Sequence, residues 1–129
     1  MFTEAEKAYL QGQRLARIAT VSADLQPDVA PVGFKFDEGR FYVSGYDLQK
    51  TRKYKNVLQN ARVSLVVDDL VAVDPWTPRG IRIHGQADIV PSPEEGEQIR
   101  ITPAVKWSWG INQPAIKDGK DVIDKATGT

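Results

Sequence analysis

The sequence predicts a mainly β protein: about six short antiparallel strands curled into a closed or nearly closed barrel, with one helix inserted midway. Three observations carry this. Ile81, Ile83, Gly85, Ala87 and Ile89 alternate with Arg82, His84, Gln86 and Asp88, the cleanest period-two run in the chain. Turn-forming clusters at 23–27, 37–39 and 91–95 recur between short β-rich runs; such regular short strands favour closure, because a barrel exposes no edge. Behind Thr51, a good N-cap, Tyr54, Val57 and Leu58 fall at i, i+3, i+4, so the middle of the chain is a helix.

Taken in order, Thr3 with Glu6 three residues on makes a capping box, so a short helix follows and stops near Gly12. Residues 15–22 (LARIATVS) form the first strand. Residues 28–36 form the second, with Val32, Phe34 and Phe36 on one face and Pro31, Gly33 and Lys35 on the other. Residues 41–44 (FYVS) lead to the helix, and 62–67 (RVSLVV) follow it as a strand. A loop then holds Asp68, Asp69, Asp74, Trp76 and Pro78; the spacing of the acids matches no metal loop, and they read as solvated turn residues. After the alternating strand, the last one sets Ile99, Ile101, Val105, Trp107 and Trp109 against Arg100, Thr102, Lys106 and Ser108. The tail, 112–129, lacks apolar periodicity and is expected to wrap over a neighbour or stay mobile. One domain, 1–129, accounts for the whole chain.

Composition narrows the function. Lys plus Arg balances Asp plus Glu at 17 each, so nothing global points to DNA or an anionic membrane. The absence of cysteine excludes a disulfide framework, a thiolate zinc site and a cysteine nucleophile. One histidine, His84, excludes a paired-histidine relay; it lies on the outward face of its strand and reads as a solvated or interface residue. With no apolar stretch of membrane length and no signal-peptide character, the expectation is a cytoplasmic protein with no membrane partner.

Functional charge is therefore local, and it is concentrated in Lys50-Thr51-Arg52-Lys53-Tyr54-Lys55. Four cations crowd a helix start, where the macrodipole is already positive and Asp or Glu is preferred. A phosphate placed there would satisfy unpaired N–H groups and meet an Arg fork and Lys point charges. The plain alternative is a solvated basic face held down by packing. Gly33 beside Pro31 marks either a bulge or a place where something approaches the backbone closely. Ser44, just before the helix, can line the same pocket.

The run 51–67, TRKYKNVLQNARVSLVV, resembles the "SRK…NPRVSLLF" segment of the pyridoxamine-phosphate oxidase-like split-barrel family. DVAPVGF (28–34), 41–44, and Pro78-Arg79-Gly80-Ile81 with Gly85 stand where that family has its second, third and fifth strands. The resemblance implies a six-stranded antiparallel split β-barrel of the FMN-binding type. It further implies that Thr51, Arg52 and Lys53, with help from Lys50, hold the phosphate of FMN or of the deazaflavin coenzyme F-420. Pro31, Val32 and Gly33 would line the ring, Val43 and Ser44 would touch the ring or ribityl chain, and Trp76 is weighed equally as ring shield or packing residue. An obligate homodimer with the cofactor at the subunit interface is implied; Trp107 and Trp109, which by themselves read as core or interface residues, could in such a dimer also border the partner's cofactor. Two departures matter. The only Arg-x-His triplet, Arg82-Ile83-His84, is in the wrong strand for the oxidases' substrate pair, and Gly80 stands where those oxidases tend to have a glutamine on the FMN ring. VDDL…DPW…PRG and KWSWG look most like the deazaflavin-dependent branch.

The expectation is thus an oxidoreductase using reduced F-420, or alternatively FMN, to pass a hydride to an unsaturated small-molecule acceptor, the cofactor carrying the chemistry and no side chain named as catalytic. A flavin-binding protein without turnover is the competing class. A small barrel for single-stranded nucleic acid is a third; a cation cluster at one point, instead of along a groove, argues against it.

Overall fold

The computed structural model describes residues 1–94 and 96–128. Helix α1 (Glu4–Gln11) precedes strands β1 (Leu15–Val21), β2 (Pro27–Gly33), β3 (Lys35–Asp37) and β4 (Arg40–Val43). A 3₁₀ turn (Leu48–Lys50) runs into α2 (Arg52–Gln59). Then come β5 (Arg62–Ala72), β6 (Thr77–Pro91), β7 (Glu97–Trp109), the two-residue strands β8 (Ile116–Lys117) and β9 (Lys120–Asp121), and β10 (Asp124–Thr127).

The main sheet is antiparallel throughout, in the order β2-β1-β5-β6-β7-β4-β3, with β10 added on β7. Its edge strands, β2 and β3, are separated in the chain by Phe34 alone. Two residues span at most about 7 Å, so the sheet must curl until its edges meet at that corner. This is the split barrel. Inward-facing Ile18, Leu65, Ile81, Ile83, Phe41 and Ile101 fill it, all essentially inaccessible to solvent. The single 28–36 strand expected from sequence is thereby broken at Phe34 into two, one at each edge.

Strand β7 carries the largest departure. Between His84↔Val105 and Gly85↔Pro103 the register shifts, leaving Ala104 as an extra residue. A bulge of this kind exchanges the two faces of the strand. Ile99 and Ile101 face the core before it; Lys106 and Ser108 face the core after it, and Trp107 and Trp109 turn outward. The expectation that both tryptophans share a face with Ile101 is corrected accordingly. Gly85 makes room for the bulge, since a Cβ there would lie 2.5 Å from the Thr102 carbonyl oxygen.

Two further corrections concern β5 and α2. β5 continues to Ala72, so Asp68 and Asp69 are strand residues with partners. Asp68 accepts from Arg17 Nη1 at 2.8 Å; Asp69 accepts from Arg79 Nε and Nη2 at 2.7 and 2.9 Å and from the Tyr9 hydroxyl at 2.8 Å. Within α2, Leu58 is 61 % exposed, whereas Asn56 is buried and donates to Thr20 Oγ1 at 3.0 Å. In the tail, Asp124–Thr127 pairs with Val105–Ser108, and Gly128 N donates to the Ala104 carbonyl at 2.7 Å.

Candidate functional site

The helix start forms as its residues dictate. Thr51 is extended (φ −80°, ψ 153°), and its hydroxyl accepts from Tyr54 N at 3.4 Å while donating to the Leu48 carbonyl at 2.6 Å. Thr51 thus serves as the helix cap here. No acidic side chain lies in the first turn. Lys50 makes a loose 3.9 Å ion pair with Asp47. Among the described residues, Arg52, Lys53 and Lys55 have no hydrogen-bond or ion-pair partner for their charged ends.

Two contacts fix the helix orientation. Glu97, at the start of β7, accepts from the Tyr54 hydroxyl at 2.8 Å and from Gln49 Nε2 at 2.7 Å. The donors from Gln49 and Tyr54 hold the Glu97 carboxyl below its ordinary range. On the other side, the Arg52 charge reaches the β1–β2 turn, where it adds to the Ser22 hydrogen bond in lowering the Asp24 carboxyl. The cation cluster therefore lies between the β1–β2 turn and the start of β7.

Pro31 and Gly33 occupy the outward face of β2. Gly33 shares a cavity of about 470 Å³ with Ser44, Phe34, Tyr42 and Gln98, and Ser44 Oγ lies 3.4 Å from Gln98 Oε1. The fold thus brings Gly33 and Ser44 together. Val32 and Val43 point the other way, with 6 % and 0 % exposure, so only their backbones can meet a ligand. Gly80 is packed under Trp109: a Cβ would stand 2.6 Å from its Cζ2 and 2.9 Å from the Val67 carbonyl oxygen. No side chain of any kind fits there, which is a packing reason for glycine. Trp76, 59 % exposed, lies with Pro78, Trp109 and Ile123 around a small cavity at the tip of the β5–β6 hairpin. Within one chain it is grouped with neither the helix start nor Gly33.

A buried polar cluster escaped the sequence reading. Glu6 Oε1 and Oε2 accept from Lys106 Nζ at 2.8 and 2.6 Å; Oε2 also accepts from Asn112 Nδ2 at 3.0 Å and from the Ser108 hydroxyl. The same carboxylate accepts from Thr3 N at 2.9 Å and so completes the capping box. Burial alone would raise the Glu6 carboxyl, but these donors together hold it below its ordinary value. Beside it, burial and the neighbouring Asp69 carboxylate push the Tyr9 hydroxyl far up. Both clusters fasten α1 to the barrel. The capping box is the only trace of them in the sequence; Lys106 and Ser108 turn inward only because of the bulge.

Comparison with known proteins adds a class to this geometry. The family model for pyridoxamine 5'-phosphate oxidase matches residues 2–127, and the chain belongs to that family. It is 40 % identical over 119 residues to a 5a,11a-dehydrotetracycline/5a,11a-dehydrooxytetracycline reductase of Streptomyces rimosus, covering 85 % of this chain and 84 % of the relative. Among solved structures, an F-420 reductase superposes with a TM-score of 0.65 at 21 % identity, covering 81 % of this chain and 98 % of the other. A FAD-binding protein of Mesorhizobium loti gives 0.63 at 19 % identity, with 83 % and 93 % covered. These two likenesses are of fold. Among the described residues no helix is long and apolar enough to cross a membrane, and no group of His, Asp and Glu is arranged to hold a metal ion.

Proposed function

We propose that the chain is an oxidoreductase that binds reduced coenzyme F-420 and serves hydride transfer to an unsaturated small-molecule acceptor. The observation that carries the reading is the start of α2: a capped helix with no acid in its first turn and three cations, Arg52, Lys53 and Lys55, that have no hydrogen-bond or ion-pair partner among the described residues. The first amides of a helix lack intrahelical acceptors, so backbone and side chains offer donors to the same anion. These residues fit a phosphate, and one phosphate needs fewer than three cations. The surplus matches F-420, whose acidic tail continues beyond its phosphate, better than FMN. The reductase named in Streptomyces rimosus, at 40 % identity, supports the oxidoreductase class.

When bound, the deazaflavin supplies the hydride; the protein supplies position and exclusion of water. Arg52 and Lys53 would hold the phosphate. Pro31 and Gly33 present a flat, exposed strip of β2, and the backbones of Val32 and Val43 with the Ser44 hydroxyl border it. A homodimer completes the site. The barrel interior is filled by its own side chains, so a large ring must lie outside, where a two-fold partner provides the second wall.

The test is calorimetric titration of F-420 and FMN into wild type and the Arg52→Ala, Lys53→Ala double variant at physiological salt. F-420 should bind more tightly than FMN. Each lost charge-assisted hydrogen bond is worth about 1.5–3 kcal/mol, so the double variant should lose at least about a hundredfold in affinity. Tighter FMN binding would overturn the deazaflavin reading, and unchanged affinity in the variant would remove the phosphate site.

A further inference from the structure

We propose that Glu97 is a positioning residue for the anion site at the start of α2: it ties Gln49 and Tyr54, on either side of Thr51-Arg52-Lys53, to the sheet, and so sets how well that site is formed before an anion arrives. The role rests on the phosphate-binding reading of that helix start. The need for it is visible in the sheet. β4 is paired with β7 only as far as Val43↔Ile99. Beyond that pair the chain leaves the ladder and runs through 44–51 into α2 without strand partners. Local structure holds this run poorly. Asp47 is left-handed (φ 50°, ψ 43°), a conformation uncommon outside glycine, and its side chain does not cap the 3₁₀ turn that follows.

Consecutive side chains of β7 take over where the ladder stops. The Ser44 hydroxyl donates to Gln98 Oε1 at 3.4 Å, and Gln98 Nε2 donates to the Pro91 carbonyl at 3.3 Å. Glu97 Oε1 accepts from Gln49 Nε2 at 2.7 Å and from the Tyr54 hydroxyl at 2.8 Å. The Gln98 contacts are long and weak, whereas those to Glu97 are short and charge-assisted, so Glu97 carries the tether. The body of α2 is anchored independently. Val57 belongs to the core, and Asn56 Nδ2 donates to Thr20 Oγ1 at 3.0 Å. Glu97 therefore governs where the helix starts and how its first turn is aimed, while the rest of the helix stays docked without it.

An acid beside a basic cluster would ordinarily pair with it and neutralise it. Among the described residues Glu97 pairs with no cation; both of its donors are neutral, an amide and a phenol. Lys50 leans toward Asp47 at 3.9 Å, and Arg52 and Lys53 have no hydrogen-bond or ion-pair partner among the described residues. The segment is thus fixed without occupying the groups that would meet the anion. A carboxylate suits the task because it only accepts, and one of its oxygens serves both donors. Its charge also repels a bound phosphate. Positioning and repulsion have opposite signs, so substitutions at Glu97 separate them.

The test titrates inorganic phosphate, followed by backbone amide shifts at 51–55, and F-420, followed by calorimetry, into the full chain. Glu97→Ala should weaken both by about tenfold, because the competent arrangement becomes a minor one and apparent affinity falls with its population. Glu97→Gln keeps a carbonyl oxygen that accepts from both donors and should bind within about twofold of wild type, or tighter. Tyr54→Phe removes one of the two donors and should cost about threefold; combined with Glu97→Ala it should add less than about twofold, since Tyr54 acts through the same carboxylate. A merely repelling acid predicts that Glu97→Ala and Glu97→Gln both bind more tightly. That result, unchanged phosphate binding in Glu97→Ala, or a Gln variant as weak as the Ala variant would overturn the role. Should Glu97→Ala fail to fold, Tyr54→Phe binding as tightly as wild type would overturn it instead. Wild type without phosphate shifts at 51–55 would remove the anion site and this role with it. The expected phosphate pattern on a protein that binds no F-420 would leave the role standing and remove the deazaflavin reading alone.

Discussion

Replacing Lys106 with Met isolates one of the buried polar contacts between α1 and the barrel. Met keeps the length and packing of the side chain and removes only the charge. In the native protein the Lys106 ammonium, 2.6 and 2.8 Å from the two Glu6 oxygens, is, among the described residues, the one full charge paired with a carboxylate that has no solvent exposure. Losing one partner of a buried pair costs about 3–5 kcal/mol, because the other charge remains unpaired in low dielectric. Thr3 N, Ser108 and Asn112 still donate to Glu6, which places Lys106→Met near the lower end, about 3 kcal/mol. At an m-value of about 1.5 kcal/mol per molar urea, the unfolding midpoint should fall by about 2 M. The pH dependence provides an independent sign. Native Glu6 lies below its ordinary value, so its contribution is present above the usual carboxylate range and is lost as pH falls through the depressed value. In Lys106→Met, burial prevails and raises the Glu6 carboxyl; its penalty is present at neutral pH and relieved as pH falls. The gap between the two proteins should therefore narrow between neutrality and about pH 4. A midpoint shift under about 0.5 M, or a gap independent of pH, would refute this account of the cluster.

Three other outcomes follow from the same structure. Gly80→Ala should destabilise the fold by about 2 kcal/mol or more in urea titration, since the added methyl meets Trp109, the Asp68 Cβ and the Val67 carbonyl together. Tyr9→Phe removes the hydroxyl that donates to Asp69 at 2.8 Å and should cost about 1–2 kcal/mol; Asp69 keeps its bidentate Arg79 contact, so the variant should remain folded in circular dichroism. Multi-angle light scattering at micromolar concentration should report a homodimer, and a monomer that still binds cofactor tightly would remove the two-walled site.

What the sequence determined by itself is whatever local chemistry sets. The Thr3–Glu6 capping box, the Thr51 cap and the alternation of Ile81 to Ala87 are decided within a few residues, by hydrogen-bond reach and by side-chain period, and each forms as written. The concentration of charge at the α2 start was equally legible, because a helix start and its cations are neighbours in the chain. Tertiary structure decided whatever depends on register. One extra residue, Ala104, turns Lys106 and Ser108 into the core and Trp107 and Trp109 out of it, and no pattern within β7 announces where the shift falls. Pairing between distant strands gave Asp68 and Asp69 their partners, drew the tail onto β7, and set Glu97 beside Gln49 and Tyr54. Val32 and Val43 show the same limit at the candidate site. A residue's place in a motif is a property of the chain, but which face it presents is fixed by the sheet that buries the other one.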